Sequence, residues 1–206
     1  MAQAKTSLIA GIQVLTQRDP DLAQIIDTLG YPPQWQREPG FATLIQIILE
    51  QQVSLASAQA TFKRLNNAVD RLTPETFLCL EDDVLKGIGF SRQKITYGRE
   101  LAQAITKNIL DLDSFVRLDN LSIRRKLTRI KGIGDWTVDM YLMMALQRQD
   151  IFPTKDLAVK IAVKEIKNLL TLPPPSELEF IAEQWRPYRA IATKILWHYY
   201  LNRKSN

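Results

Sequence analysis

Cysteine and histidine are nearly absent from this chain, each occurring once in 206 residues, as Cys79 and His198. A disulfide, a cysteine-rich zinc site and a four-cysteine iron–sulfur cluster all need more thiols than the chain contains. A Ser-His-Asp triad would have to use His198, and the sequence identifies no partner for it. Multi-cysteine and multi-histidine chemistry within this chain is therefore excluded.

Long apolar runs and alternating stretches are also missing. No run is long enough to span a membrane, and the first five residues lack the apolar segment of a signal peptide. We therefore expect a cytoplasmic protein, nucleoid-associated if it is bacterial, with no membrane partner. The 27 Lys and Arg residues exceed the 22 Asp and Glu residues, for a net charge of +5. This balance is compatible with nucleic acid as a partner but is equally typical of a soluble surface.

Apolar residues recur at helical spacing through nearly the whole chain, for example at Leu22, Ile25, Ile26 and Leu29. The segment 138–146 is apolar on almost every side, which predicts a buried central helix. Ser122 is expected to cap a basic helix over 123–130. Later helices are predicted over 157–170, 177–185 and 189–203. The predicted fold class is all-α with short connections.

The most informative stretch runs from Thr128 to Lys160. Gly132 and Gly134 flank Ile133, so the backbone can turn tightly and approach a ligand. The next helix starts at once and presents free N–H groups to an anion. Five cations precede the turn: Arg124, Arg125, Lys126, Arg129 and Lys131. The stretch predicts a phosphate site at the glycine turn, for which the alternative is an ordinary helix connection. It also places a carboxylate, Asp156, at the start of a third helix, for which the alternative is a simple first-turn charge.

Three separated motifs carry a family resemblance. They are the segment Phe41–Ser54, the hairpin with Trp136 and Asp156, and the segment Trp185–Trp197. In order and spacing, over roughly residues 31–201, the chain resembles the helix-hairpin-helix superfamily of base-excision DNA glycosylases. It is most similar to the 3-methyladenine DNA glycosylase II family, which releases alkylated bases.

The resemblance implies a fold and a domain organisation. The expected fold is all-α, with two helical lobes, a helix-hairpin-helix motif and an active-site cleft between the lobes. We expect a single glycosylase domain over residues 1–206, with the hairpin at about 123–147. The N-terminal and C-terminal helices are expected to share one lobe.

The resemblance also places the catalytic carboxylate at Asp156. Breaking an N-glycosidic bond leaves positive charge on the sugar, which a fixed anion stabilises while it orients or deprotonates water. O-glycoside hydrolysis often uses two carboxylates. An alkylated purine is already cationic and leaves readily, so one aspartate can suffice.

The family implies aromatic and DNA-contacting roles as well. Bifunctional relatives carry a lysine nucleophile just past the hairpin, where this chain has Trp136, so a monofunctional enzyme is expected. Trp136, Trp197 and Trp35 are the base-pocket candidates, with core packing as the alternative. Gln52 matches the side chain that fills the gap left by an extruded base, and a surface or capping glutamine is its alternative.

The remaining implied sites lie at phosphates and at a cation. The predicted phosphate-binding residues are Gly132, Gly134, Lys131 and Ser54, and Ser54 could instead cap the following helix. Backbone carbonyls of Thr128, Ile130 and Ile133 match a family site for a monovalent cation, Na⁺ or K⁺. No other cofactor is expected to be required.

The function implied is a monofunctional DNA glycosylase that excises alkylated purines, such as 3-methyladenine and 7-methylguanine, during base excision repair. Its partner would be double-stranded DNA with alkylated bases, and a monomer is expected. One alternative is a non-catalytic helix-hairpin-helix DNA-binding module, against which Asp156 argues. The other is a glycosylase for oxidised or mismatched bases, against which Trp136 and the missing cluster cysteines argue.

Overall fold

The computed structural model describes residues 2–203, with side chains from Leu8 onward. Over that range the chain contains twelve α-helices, two short 3-10 turns and no β-strand, so the all-α prediction is confirmed. No helix within it is both long and apolar enough to cross a bilayer. The helices are α1 (Ala2–Arg18), α2 (Pro20–Leu29), α3 (Phe41–Glu50), α4 (Leu55–Asn67), α5 (Pro74–Cys79), α6 (Asp82–Ile88), α7 (Arg92–Thr106), α8 (Asn120–Leu127), α9 (Asp135–Met144), α10 (Leu157–Ile166), α11 (Pro175–Ala182) and α12 (Arg189–Asn202), and the 3-10 turns are Asp113–Arg117 and Glu183–Trp185.

The chain divides into two compact units. The central unit is the uninterrupted segment Arg37–Leu146, which contains α3 to α9. The terminal unit combines the residues up to Gln36 with those from Gln147 onward, so it contains α1, α2 and α10 to α12. The hairpin helices α8 and α9 therefore belong to the central unit.

The core of the central unit is built around α9. Every residue from Thr137 to Met144 is buried, which confirms the predicted central helix. An apolar α3 packs on α9 and α7, and its Ile45, Ile47 and Ile48 are fully buried. Helices apolar on several faces can be accommodated only where neighbours cover each face, and α9 occupies such a position.

The terminal unit is organised around α12, which packs against α10, α2 and α1. Its residues from Arg189 to Trp197 are all buried. In the same unit, the buried carboxylate of Asp19 caps α2. It also accepts hydrogen bonds from Lys167 Nζ at 2.9 Å and from Trp185 Nε1 at 2.8 Å. One carboxylate thus joins the start of α2, the end of α10 and the second 3-10 turn.

Several predicted helix bounds were wrong: the helix predicted over 123–130 is Asn120–Leu127, and the one predicted over 177–185 is Pro175–Ala182 followed by a 3-10 turn. Two of the differences have a local cause. The cap of α8 is Asp119, whose carboxylate accepts the Ser122 amide at 2.9 Å, so Ser122 lies inside the first turn. The predicted helix 157–170 ends earlier, at Ile166, because Asn168 takes a left-handed φ of 52° and cannot continue the helix. The spacing of apolar residues predicts neither the capping role of Asp119 nor the left-handed backbone of Asn168.

Candidate active site

Asp156 begins α10 as its N-cap residue. Its Oδ1 accepts the Val159 amide at 2.9 Å and the Trp197 indole Nε1 at 3.2 Å. The residue is 8% exposed, so these donors hold the carboxylate in one orientation largely out of water. As the N-cap residue, Asp156 also lies at the positive end of the α10 dipole. An oriented, buried anion is the group that can stabilise a developing cation.

Two predicted pocket tryptophans lie beside this carboxylate. Trp197 is 8% exposed and donates its N–H to Asp156. Trp35 meets the Trp197 ring edge-on, with centroids 5.9 Å apart and planes 86° apart. The backbone of Trp35 has a left-handed φ of 40°, a strained conformation for an aromatic residue. The structure therefore brings together Asp156, Trp197 and Trp35, and stacking on a base stays a prediction for both indoles.

The hairpin turn lies in the central unit between α8 and α9. Gly132 has φ +88°, and the Tyr97 ring occupies the space that a side chain at this position would need. Gly134 is the N-cap residue of α9 and has no side chain with which to cap the helix. No atom beyond the adjoining residues lies within 4 Å of the position that a side chain at Gly134 would take. The backbone at Gly134 therefore has room for a ligand beside the start of α9, and phosphate binding there stays a prediction.

We expect Gly132→Ala to lower the free energy of unfolding by about 2–4 kcal/mol, because the methyl group combines a left-handed backbone with a clash against Tyr97. Urea unfolding measures this loss. Gly134→Ala is the matched variant: we expect a stability change within about 0.5 kcal/mol, because no atom beyond the adjoining residues lies within 4 Å of the added methyl group. Equal stability of the two variants would contradict the role of Gly132.

One of the five hairpin cations has a structural role instead. Arg124 pairs with Asp135 at 3.1 Å and also with the buried Asp139. Burial alone would lower the pKa of Arg124, but the hydrogen bonds and charges of Asp139 and Asp135 outweigh it and raise the pKa. Arg124 therefore fixes α8 against α9. The other four cations, Arg125, Lys126, Arg129 and Lys131, are exposed.

The turn that joins α3 to α4 carries two further predicted residues. Gln52 is exposed and has a left-handed φ of 56°. Ser54 caps α4 by accepting the Ser57 amide at 3.3 Å, which agrees with the capping alternative. Its hydroxyl hydrogen can still be donated to a phosphate.

Trp136 and the three carbonyls complete the predicted set. Trp136 is half-buried in the first turn of α9. The Ile130 carbonyl accepts the Ile133 amide at 3.1 Å, while those of Thr128 and Ile133 accept no backbone hydrogen bond in the described turn. Carbonyl oxygens are the type of ligand that hard cations prefer, and a monovalent cation at these three carbonyls stays a prediction.

Comparison with known proteins adds the family. Residues 45–187 match the HhH-GPD superfamily of base excision DNA repair proteins. The chain belongs to this superfamily. DNA-3-methyladenine glycosylase 1 of Schizosaccharomyces pombe is 28% identical over 199 residues, covering 93% of this chain and 87% of that protein. A putative DNA-3-methyladenine glycosylase of Bacillus subtilis is 28% identical over 162 residues, covering 75% of this chain and 56% of the relative.

A solved structure is similar over nearly the whole chain. The S. pombe 3-methyladenine DNA glycosylase in complex with abasic DNA superposes with a TM-score of 0.89 at 26% identity. The match covers 96% of this chain and 100% of that one.

The sequence analysis missed two residues, Tyr97 and Gln51, that contact the hairpin. Tyr97 packs against Gly132, and Gln51 donates hydrogen bonds to the hairpin. Gln51 lies next to the predicted Gln52 within the segment Phe41–Ser54, so that motif already contained the residue. Tyr97 had none, because its partner lies far away along the chain.

Proposed function

We propose that the protein is a DNA glycosylase that excises alkylated purines, such as 3-methyladenine and 7-methylguanine, during base excision repair. The observation that carries this proposal is the Asp156 carboxylate, buried and oriented by Val159 and Trp197 in a member of a base-excision superfamily. The names of its relatives support the substrate class.

In the proposed reaction, the bond between the purine nitrogen and the sugar C1′ breaks. The electron pair leaves with the base, which neutralises the charge that alkylation placed on it. The sugar becomes an oxocarbenium-like cation, and Asp156 stabilises that charge. Water then bonds to C1′, and its proton passes to the Asp156 carboxylate and from there to solvent. The products are a free base and an abasic site.

DNA contacts in this proposal come from the central unit. The positive end of α9, with Gly132, Gly134 and Lys131, binds a phosphate of the lesion strand. Gln52 fills the gap that the extruded nucleotide leaves, and Ser54 contacts a nearby phosphate. Exposed cations on α8 and in the turn add affinity that falls as salt rises.

The proposal extends to a monofunctional reaction. Trp136 stands where bifunctional relatives have lysine, and an indole cannot form a Schiff base. Its face suits a cationic alkylated base instead. A monovalent cation held by the carbonyls of Thr128, Ile130 and Ile133 would add positive charge beside the bound phosphate. The enzyme acts as a monomer on double-stranded DNA in the cytoplasm.

The direct test is incubation of the protein with N-methylated duplex DNA and measurement of free 3-methyladenine and 7-methylguanine. Release of either base is the expected result. Binding without release would favour the non-catalytic DNA-binding alternative. A strand-break assay without heat or alkali tests the monofunctional reaction, and breaks made by the protein alone would overturn it.

A further inference from the structure

Three consecutive residues at the end of α3 are each bonded to a different part of the central unit. The Leu49 carbonyl accepts Lys94 Nζ at 2.7 Å. The Glu50 carboxylate accepts two hydrogen bonds from Arg37, at 2.7 and 3.1 Å. The Gln51 side chain donates to the hairpin. The chain that enters the turn between α3 and α4 is therefore hydrogen-bonded to Lys94, to Arg37 and to the hairpin.

The Gln51 bonds join this turn directly to the hairpin. Its Nε2 donates to the Gly132 carbonyl and to Thr137 Oγ1, both at 2.9 Å. A carbonyl oxygen can only accept, so the amide must present its nitrogen here. Thr137 is 1% exposed, so this amide reaches into the interior at the start of α9. One side chain thus spans the turn of the hairpin and its second helix.

The next residue, Gln52, differs from Gln51 in its exposure and in its backbone conformation. It is exposed, and its φ of 56° is unfavourable for a residue with a Cβ. Such a conformation persists only where the surroundings determine it. The bonds at Leu49, Glu50 and Gln51 supply that constraint. Burial lowers the pKa of the Lys94 ammonium, which agrees with its position against the helix end.

We propose that Gln51 is a positioning residue that couples the turn carrying Gln52 to the hairpin, so that phosphate binding at the hairpin sets where Gln52 enters the base stack. This inference rests on the proposed function, because it takes Gln52 as the side chain that fills the gap. Gln51 itself touches neither the lesion nor the reacting atoms in this scheme. Its contribution lies in base extrusion, before bond cleavage.

The test is Gln51→Met, which keeps the length of the side chain and removes both donors. Single-turnover base release is measured on two duplexes, with 7-methylguanine opposite cytosine or opposite an abasic analogue. A paired base must be extruded against its partner, whereas an unpaired base needs little help. We expect a loss of about tenfold on the paired substrate and less than about twofold on the unpaired one, from the loss of two hydrogen bonds.

The control is Thr73→Ala, which breaks the capping box at the start of α5 in the same unit. It lowers stability without altering the turn at Gln52, so both rates are expected to stay at the wild-type value. Thr137→Val removes the hydroxyl that accepts one of the two hydrogen bonds donated by Gln51. It should reproduce part of the paired-substrate loss and add little to Gln51→Met.

An equal loss on both duplexes, or no loss on the paired one, would overturn the coupling. A wild-type protein that releases no base would count against the proposed function, and extrusion can then be measured by itself. For that purpose, 2-aminopurine beside an abasic analogue reports unstacking by its fluorescence. A smaller increase with Gln51→Met than with wild type supports the coupling, and an equal increase refutes it.

Discussion

Asp156→Asn is expected to reduce base release from N-methylated DNA by about 10²–10³-fold while leaving the fold intact. The asparagine carbonyl oxygen can still accept the Val159 amide and the Trp197 indole, so the helix cap survives. The negative charge that stabilises a cationic sugar is lost, and so is the carboxylate that accepts the proton of water. Single-turnover release of 3-methyladenine and 7-methylguanine measures the effect.

A second capping aspartate provides the matched control. Asp119 caps α8 by accepting the Ser122 amide, and it is exposed. Asp119→Asn makes the same chemical change at another helix start, and base release is expected to change less than about twofold. If Asp156→Asn released base at the wild-type rate, Asp156 would be a capping residue alone.

Asp19→Ala is expected to lower the free energy of unfolding by about 3–5 kcal/mol. The carboxylate is 1% exposed and accepts hydrogen bonds from Lys167 and from the fully buried Trp185. Burial alone would lower the pKa of Lys167, but hydrogen bonds to Asp21 and Asp19 outweigh it and raise the pKa. Removing Asp19 leaves the buried Trp185 indole N–H unpaired. It also removes one of the two carboxylates that pair with Lys167.

Asp27→Ala is the control, since Asp27 is an exposed aspartate on the same helix. Its removal is expected to change stability by less than about 0.5 kcal/mol. Urea unfolding followed by tryptophan fluorescence compares the two variants. Similar midpoints would contradict a stabilising network at Asp19.

The parts of the fold that sequence could predict depend on local pattern. The apolar segment of α9 predicts its own burial, because an apolar residue on every face leaves no side for water. Asp156 before an apolar run predicts a helix start, and the structure has it there. Gly132 predicts a turn that needs glycine, and its φ of +88° agrees.

The parts that sequence could not predict depend on which distant side chains meet. Arg124 looked like a phosphate-binding cation, yet α9 folds back and supplies Asp135 and Asp139 as its partners. The hydrogen bond from Trp197 to Asp156 joins the last helix to the start of α10. Such contacts follow from tertiary packing, and no local pattern encodes them.

The division of the chain also sets an order of folding during synthesis. The central unit emerges from the ribosome as one continuous segment, so its helices can pack once Leu146 has left the ribosome. Helices α1 and α2 are synthesised before this unit but pack against α12, which is synthesised after it. At about 5–20 residues per second, they remain without that partner for on the order of ten seconds. The hairpin is therefore assembled before the carboxylate of Asp156 has its final surroundings.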